Sequence, residues 1–160
     1  MGPVDYIPRI RDNYARLGYK TYHWVVNEDI APWAPLSKPL SRCRLGMAAS
    51  GGIYVTGQTA FHYKDDTSIR EIPADVDTKD LRATHFAYDL SDARKDPNVV
   101  FPIDTLRRLV REGFLGGLSH RFYTFMGGIY SSRRVAEDLA PRLAGRFRED
   151  GVDAVLLVPV

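Results

Sequence analysis

The sequence predicts an α/β fold: one three-layer domain over residues 1–160, built on a mainly parallel, Rossmann-like sheet and ending on a core strand. Three observations carry this. Residues 44–50 (Arg-Leu-Gly-Met-Ala-Ala-Ser) form a strand-like run of small residues. A helical segment at 102–113 precedes an alternating run at 121–126. A second helical segment, opening at Ser131 or Ser132 and closing near Asp150, feeds Gly151 and the aliphatic run 152–158. The order strand, helix, strand, helix, strand favours parallel pairing through right-handed crossovers.

Each element has its own local reason. In 4–19, Ile7, Ile10, Tyr14 and Leu17 recur at steps of three and four, which predicts a short amphipathic helix stopped by Gly18. Residues 27–39 hold three prolines and Trp33 and read as an extended loop. Gly51-Gly52 is a turn, and Ile53-Tyr54-Val55 continues the sheet or belongs to that turn. Residues 56–67 are polar and turn-rich, 68–73 alternate weakly as a strand, and 81–88 are another strand candidate. In 102–113, Ile103, Leu106, Leu109 and Val110 share one helix face, with Pro102 opening the helix and Gly113 closing it. Val135, Leu139, Leu143 and Phe147 step by four along the last helix, and Pro141 predicts a kink or break within it.

Composition excludes several classes of function. A hydrophobic fraction of 44% and a charged fraction of 26% are those of an ordinary folded domain. A chain of this length buries about 70% of its unfolded surface and needs no staples. The net charge of +2 is too small to argue for nucleic acid or an anionic membrane. Cys43 is the one cysteine, so no internal disulfide framework exists, which suits a reducing cytoplasm. No apolar run approaches a membrane span, and no basic-then-apolar signal opens the chain. Tyr6 stands where a myristoylation motif needs Ser or Thr.

The densest chemistry lies in 85–98. His85, Tyr88, Asp89, Asp92, Asp96 and Asn98 follow a strand candidate and precede the helix at Pro102. Such a loop can present an imidazole as acid or base with Asp89 orienting it, or offer ligands to a metal. It can equally be turn and cap chemistry. One histidine with no second His or Cys nearby makes a poor transition-metal pattern, and neither metal nor cofactor is expected. His62 and His120 are isolated, and Cys43 reads as structural because strand alternation turns Arg42 and Arg44 to the other face. Gly127-Gly128 precedes Ser131, Ser132, Arg133 and Arg134, where an ordinary helix cap competes with a carboxylate or phosphate site. Walker, G-x-G-x-x-G and G-x-S-x-G patterns are absent.

Several of these segments together resemble a known family. They are Thr67–Pro73 (Thr-Ser-Ile-Arg-Glu-Ile-Pro), Thr84-His85-Phe86-Ala87-Tyr88-Asp89, and 96–104 (Asp-Pro-Asn-Val-Val-Phe-Pro-Ile-Asp) leading into Leu106-Arg107-Arg108-Leu109. Gly113, Gly116, Tyr123, Phe125-Met126-Gly127 and the closing 151–157 complete the series. It resembles the selenoprotein B subunits of the glycine, sarcosine and betaine reductases, related to D-proline reductase, from about Cys43 to Val160. The resemblance implies an oxidoreductase subunit that cleaves C–N bonds reductively, with amine or amino-acid substrates and other reductase subunits as partners. It also implies a selenocysteine loop after the strand matching 154–158, with a cysteine a few residues on. No such residue lies in this sequence, so the 160 residues are expected to stop just before a UGA-encoded selenocysteine and to be inactive alone. An apolar face left without its covering helix is expected to favour self-association.

From residue chemistry we assign His85 and Asp89 to protonating the leaving amine or fixing the substrate. Arg70 would pair with its carboxylate, and Tyr88, Asn98, Gly127 and Gly128 would complete the substrate wall. Two other readings stay open: a non-catalytic small-molecule or protein-binding module on the same scaffold, and an enzyme of another kind using 85–98 with a metal.

Overall fold

The computed structural model describes residues 5–21 and 25–160. It divides into a unit running to Trp33 and a unit from Ala34 to Val160. In the first, α1 (Tyr6–Arg16) forms as the spacing predicts, and Gly18 closes it with φ +73°. Val4, where the helix was expected to begin, lies outside the described residues. None of the residues of α1 is buried. Residues 25–39 form neither helix nor strand.

The second unit is built around β1 (Arg44–Ala49), whose residues from Leu45 to Ala49 are all buried. Its smallness is functional packing. A Cβ on Gly46 would stand 2.8 Å from the Phe147 ring, closer than real Cβ atoms approach. One edge of β1 pairs in parallel along its length with β7 (Ala154–Val158), Leu45 opposite Ala154 and Ala49 opposite Val158. The other edge pairs in parallel with β5 (Gly117–Leu118) and then β6 (Arg121–Thr124). Between those pairings β1 advances from Leu45 to Ala48 while the neighbouring chain advances from Leu118 to Tyr123. The neighbouring chain therefore carries two extra residues, a bulge that follows the last rung from Ser119 N–H to Leu45 O. Antiparallel to β6 runs β3 (Arg70–Pro73), with Ile72 opposite Phe122.

The fold is thus mixed α/β, as the element order predicts. The sheet is mixed rather than the uniform parallel arrangement that repeated crossovers would build: β5, β6 and β7 run parallel to β1, while the 68–73 strand returns antiparallel against β6 instead of crossing over. Two further expectations are corrected. Residues 53–55 (β2, Ile53–Val55) leave the sheet and pair antiparallel with β4 (Leu81–Ala83), which ends well before Tyr88. The closing strand β7 is an edge strand and not a core strand. Val155 and Leu157 turn outward, and Leu157 is 70% exposed.

Period-2 alternation divides the core between the sheet faces. Leu45, Met47 and Ala49 of β1 pack on one side with Phe122, Ile72, Phe101 and Leu106; Ala48 packs on the other with Tyr123 and Phe147. The helix α2 (Ser91–Lys95) contributes Ala93 to the larger cluster, and α3 (Ile103–Arg111) contributes Ile103 and Leu106. Ser131 caps the last helical stretch by accepting from the Arg134 N–H. That stretch starts as α4 (Ser132–Arg134), widens to a π-turn over Val135–Leu139, and resumes as α5 (Ala140–Glu149). The interruption answers Pro141: proline has no N–H to return to residue 137, and its ring crowds that carbonyl in an α-turn.

A buried carboxylate ties the amino ends of the strands to the end of α5. Asp150, 5% exposed, accepts from Tyr123 Oη at 2.6 Å and Arg121 Nη2 at 2.9 Å. Arg121 also reaches Glu71 Oε2 at 2.9 Å, and Arg146 pairs with the other Glu71 oxygen. Burial would raise the Asp150 carboxyl, but the hydrogen bonds from Arg121 and Tyr123 hold it below its ordinary value of 3.8. Burial and the neighbouring carboxylate push the Tyr123 phenol upward.

Asp150→Ala should therefore cost about 3–5 kcal/mol in urea unfolding, because Arg121 and Tyr123 lose a buried partner. The sign of the linkage is fixed. A depressed carboxyl contributes stability that is whole above 3.8 and is lost as pH falls through its lower folded-state value. The acid slope in that window should weaken in Asp150→Ala.

Candidate functional site

The carboxyl ends of β1, β6 and β7 lie side by side, as their parallel pairing requires. Ser50 follows β1, Phe125 to Gly128 follow β6, and Pro159 and Val160 follow β7. They are laced together. Gly127 N–H donates to Ser50 O at 2.7 Å, Ser50 N–H donates to Val158 O at 3.0 Å, and Val160 N–H donates to Ser50 Oγ at 2.9 Å. Such strand ends are where open α/β sheets place ligands.

Gly52 docks the His85 segment onto this edge. Its N–H donates to Phe125 O, and its carbonyl accepts from Thr84 N–H, each at 3.0 Å. It adopts φ +68°, and a Cβ there would collide with Thr84 O at 1.9 Å. The Gly51-Gly52 turn expected from sequence thus has a tertiary task. It lets the chain after β4 lie against the sheet end.

His85 is 8% exposed. Its Nδ1 accepts the Ala87 N–H at 3.0 Å, so in the neutral ring the proton resides on Nε2. That Nε2 is buried and has no hydrogen-bond partner among the described residues. It faces Gly127, where a Cβ would stand 3.3 Å from Nε2 and 3.3 Å from Ser50 Cβ. Burial pushes the imidazole pKa below its ordinary 6.5. Tyr88, with its ring 4.8 Å from that of His85, donates through Oη to Gly51 O at 2.8 Å, and burial raises its phenol. Phe86 stacks on His85 at 5.6 Å and leans over Gly128, whose φ of +76° and lack of Cβ admit the ring.

Of the residues assigned from sequence, His85, Tyr88, Gly127 and Gly128 come together. The others are engaged elsewhere. Asp89 is exposed and accepts from Ser91 N–H, whose hydrogen bonds lower its pKa; the contact expected to orient His85 comes instead from the Ala87 backbone. Asn98 accepts from Asp104 N–H and donates to Asp96 and Asp104, capping α3. Arg70 spends its donors on Thr59 O, Ala60 O and Ser68 Oγ, with its guanidinium over the Phe61 ring at 4.4 Å. Arg133 pairs with Glu137, and Arg134 donates to Asp65 O. Cys43 is buried at the amino end of β1, away from this edge. Among the described residues no three His, Cys, Asp or Glu side chains converge on a metal position.

Ser50 and Phe86 went unassigned in the sequence, although each adjoins a segment that was singled out. Beside the site, an apolar groove of about 540 Å³ runs between β7 and α5, bounded by Val155, Leu157, Leu139, Leu143 and Phe125 and reaching Ser50. No helix among the described residues is long and apolar enough to cross a membrane.

Comparison with known proteins supplies the family. Residues 15–160 match the description Glycine/sarcosine/betaine reductase selenoprotein B. The chain is 36% identical over 125 residues to a D-proline reductase subunit gamma of Acetoanaerobium sticklandii, covering 78% of this chain and 52% of that protein. It is 30% identical over 141 residues to the sarcosine reductase complex component B subunit beta of Peptoclostridium acidaminophilum, covering 81% of this chain and 30% of that protein. A glycine reductase complex component B subunit gamma of Carboxydothermus hydrogenoformans is 28% identical over 138 residues, 31% of its length. The chain therefore spans about half of the first relative and about a third of the others. No solved structure gives a significant match. With nearly its whole length matched, the chain belongs to the glycine/sarcosine/betaine reductase selenoprotein B family.

Proposed function

We propose that this chain is part of a selenocysteine-dependent reductase component that cleaves the C–N bond of glycine, sarcosine, betaine or proline-type substrates in the cytoplasm. The nucleophile comes from outside these 160 residues. A selenolate attacks the carbon bearing nitrogen; the C–Se bond forms as the C–N bond breaks, and the nitrogen keeps the bonding pair and takes up a proton, departing as an amine from glycine, sarcosine or betaine and staying tethered in a proline-type substrate. Selenols ionise more readily than thiols, which supplies nucleophile at neutral pH by the logic that activates low-pKa cysteines. Other subunits of the complex are its partners, in keeping with relatives named as complex components.

The observation that carries this reading is the buried, partnerless His85 Nε2 at the carboxyl ends of the parallel strands, in a chain matched to the family from residue 15. We assign His85 to the substrate contact and Tyr88, Gly127 and Gly128 to the wall around it. Arg70, Asp89 and Asn98 support the loops that frame it. The groove between β7 and α5 favours a second reading, in which the scaffold binds a partner and performs no chemistry.

Reconstitution with the selenoprotein subunits of a relative's complex separates the two. Amine release from glycine, sarcosine or betaine, or ring opening of proline, that depends on this chain supports the reductase reading; a complex that assembles and turns over none of them supports the binding module. In the active assembly, His85→Phe should lower kcat/KM by about a hundredfold, the scale of a lost preorganised donor. Asp89→Asn should leave it within about twofold, because that carboxylate faces Ser91 and solvent.

His85 also predicts a pH dependence of stability. A histidine whose folded pKa is depressed contributes stability that is whole above 6.5 and is lost as pH falls toward its lower folded value. Urea midpoints measured between about pH 8 and about pH 5 should fall for the wild type across that window. The fall should be smaller in His85→Phe.

A further inference from the structure

We infer that His85 serves this site as a neutral hydrogen-bond donor through Nε2–H, and that the acceptor is the carboxylate of an amino-acid-type ligand. The inference deepens the reductase reading and rests on it for the ligand class. It also revises the expectation that His85 protonates the leaving amine.

The tautomer of His85 is set by its backbone contact. Proton transfer from imidazolium requires a proton on both ring nitrogens. Nδ1 faces the Ala87 N–H at 3.0 Å, and that N–H is itself a donor. A proton on Nδ1 would set two donors against each other and break the turn that holds the ring. The neutral ring has no such conflict, and its one proton points toward Gly127 and Ser50. Release of that proton would leave an imidazolate, which no cationic side chain is placed to stabilise among the described contacts of the ring. The nearby rings are Phe86 and Tyr88, and Tyr88 directs its hydroxyl to Gly51 O.

The donor at Nε2 is unmet among the described residues. Buried polar groups in folded proteins almost always have partners, and one without a partner calls for an explanation. Nε2 is closed to solvent, so folding has already stripped the donor of water. A ligand acceptor would regain the whole of that loss, and an anionic acceptor makes the stronger bond. The ligands named for the relatives, glycine, sarcosine, betaine and D-proline, differ at nitrogen, and in proline also at Cα, and share a carboxylate. A single uncharged donor suits that shared group. Because Nε2 is closed, the acceptor enters by displacing the neighbouring chain at Ser50, Phe86 or Gly127.

The test is nitrogen NMR on the histidine-labelled 160-residue chain, with acetate, betaine and choline as probes. The His85 signals should report the Nε2–H tautomer. Acetate and betaine should shift Nε2 and its proton downfield, while choline, which has the cation but no carboxylate, should not. Gly127→Ala, which sets a methyl group 3.3 Å from Nε2, should abolish the shift while leaving the other histidines in place. An Nδ1–H tautomer, or no response to either carboxylate, would overturn the inference. A shift produced by methanethiolate and by no carboxylate would also overturn it and assign the donor to a chalcogenolate. A carboxylate shift in a chain that fails in reconstitution keeps the donor and rejects the reductase reading. Turnover without the shift does the reverse.

Discussion

The second unit depends on β1 being hydrogen-bonded along both edges while it is packed on both faces. A strand in that position has no room for ordinary side chains on its crowded side, and Gly46 and Ala48 meet that limit beneath Phe147 and Tyr123. Its parallel pairing with β6 and β7 places three strand ends together. Everything that resembles a site, from Ser50 to Gly127, is a consequence of that alignment.

The two ends of the strands do different work. At the amino ends, Asp150 gathers Arg121, Tyr123 and Ser119 into a fully used network, extended through Glu71 to Arg146. The buried charge there, the Asp150 carboxylate, is paired with the half-buried Arg121, which locks the helix end and the bulge after β5 into place. At the carboxyl ends, His85 is buried with one nitrogen used and one unmet. Satisfied networks hold a fold, whereas an unmet donor is a cost that a structural role alone does not explain. The groove between β7 and α5 lies against this second end, so whatever fills it adjoins the site.

Much of this was legible in the residues. The helix caps, the stop at Gly18, the small strand 44–50 and the break at Pro141 follow from local chemistry. The cluster around His85 is legible because its polar residues crowd one loop, and the order of the segments carries the family. What failed to transfer was pairing. The carboxylate of Asp89 is four residues from His85 in the chain, yet it closes its own turn onto Ser91. Arg70 looked available for a carboxylate, but its guanidinium is held by carbonyls of the 59–69 loop.

The sequence by itself determined the α/β class, the family, the helical stretches at 102–113 and 131–150 and the histidine at the centre of the candidate site, but not the short helix α2. These rest on periodicity, caps and motif order, which are local. Only the tertiary structure decided that β3 returns antiparallel, that β7 stands at an edge, and that Ala87 rather than Asp89 sets the His85 tautomer. Strand direction and hydrogen-bond partners depend on which distant segments meet. A donor in a loop bonds to the acceptor that packing brings near it, and linear spacing does not encode that choice.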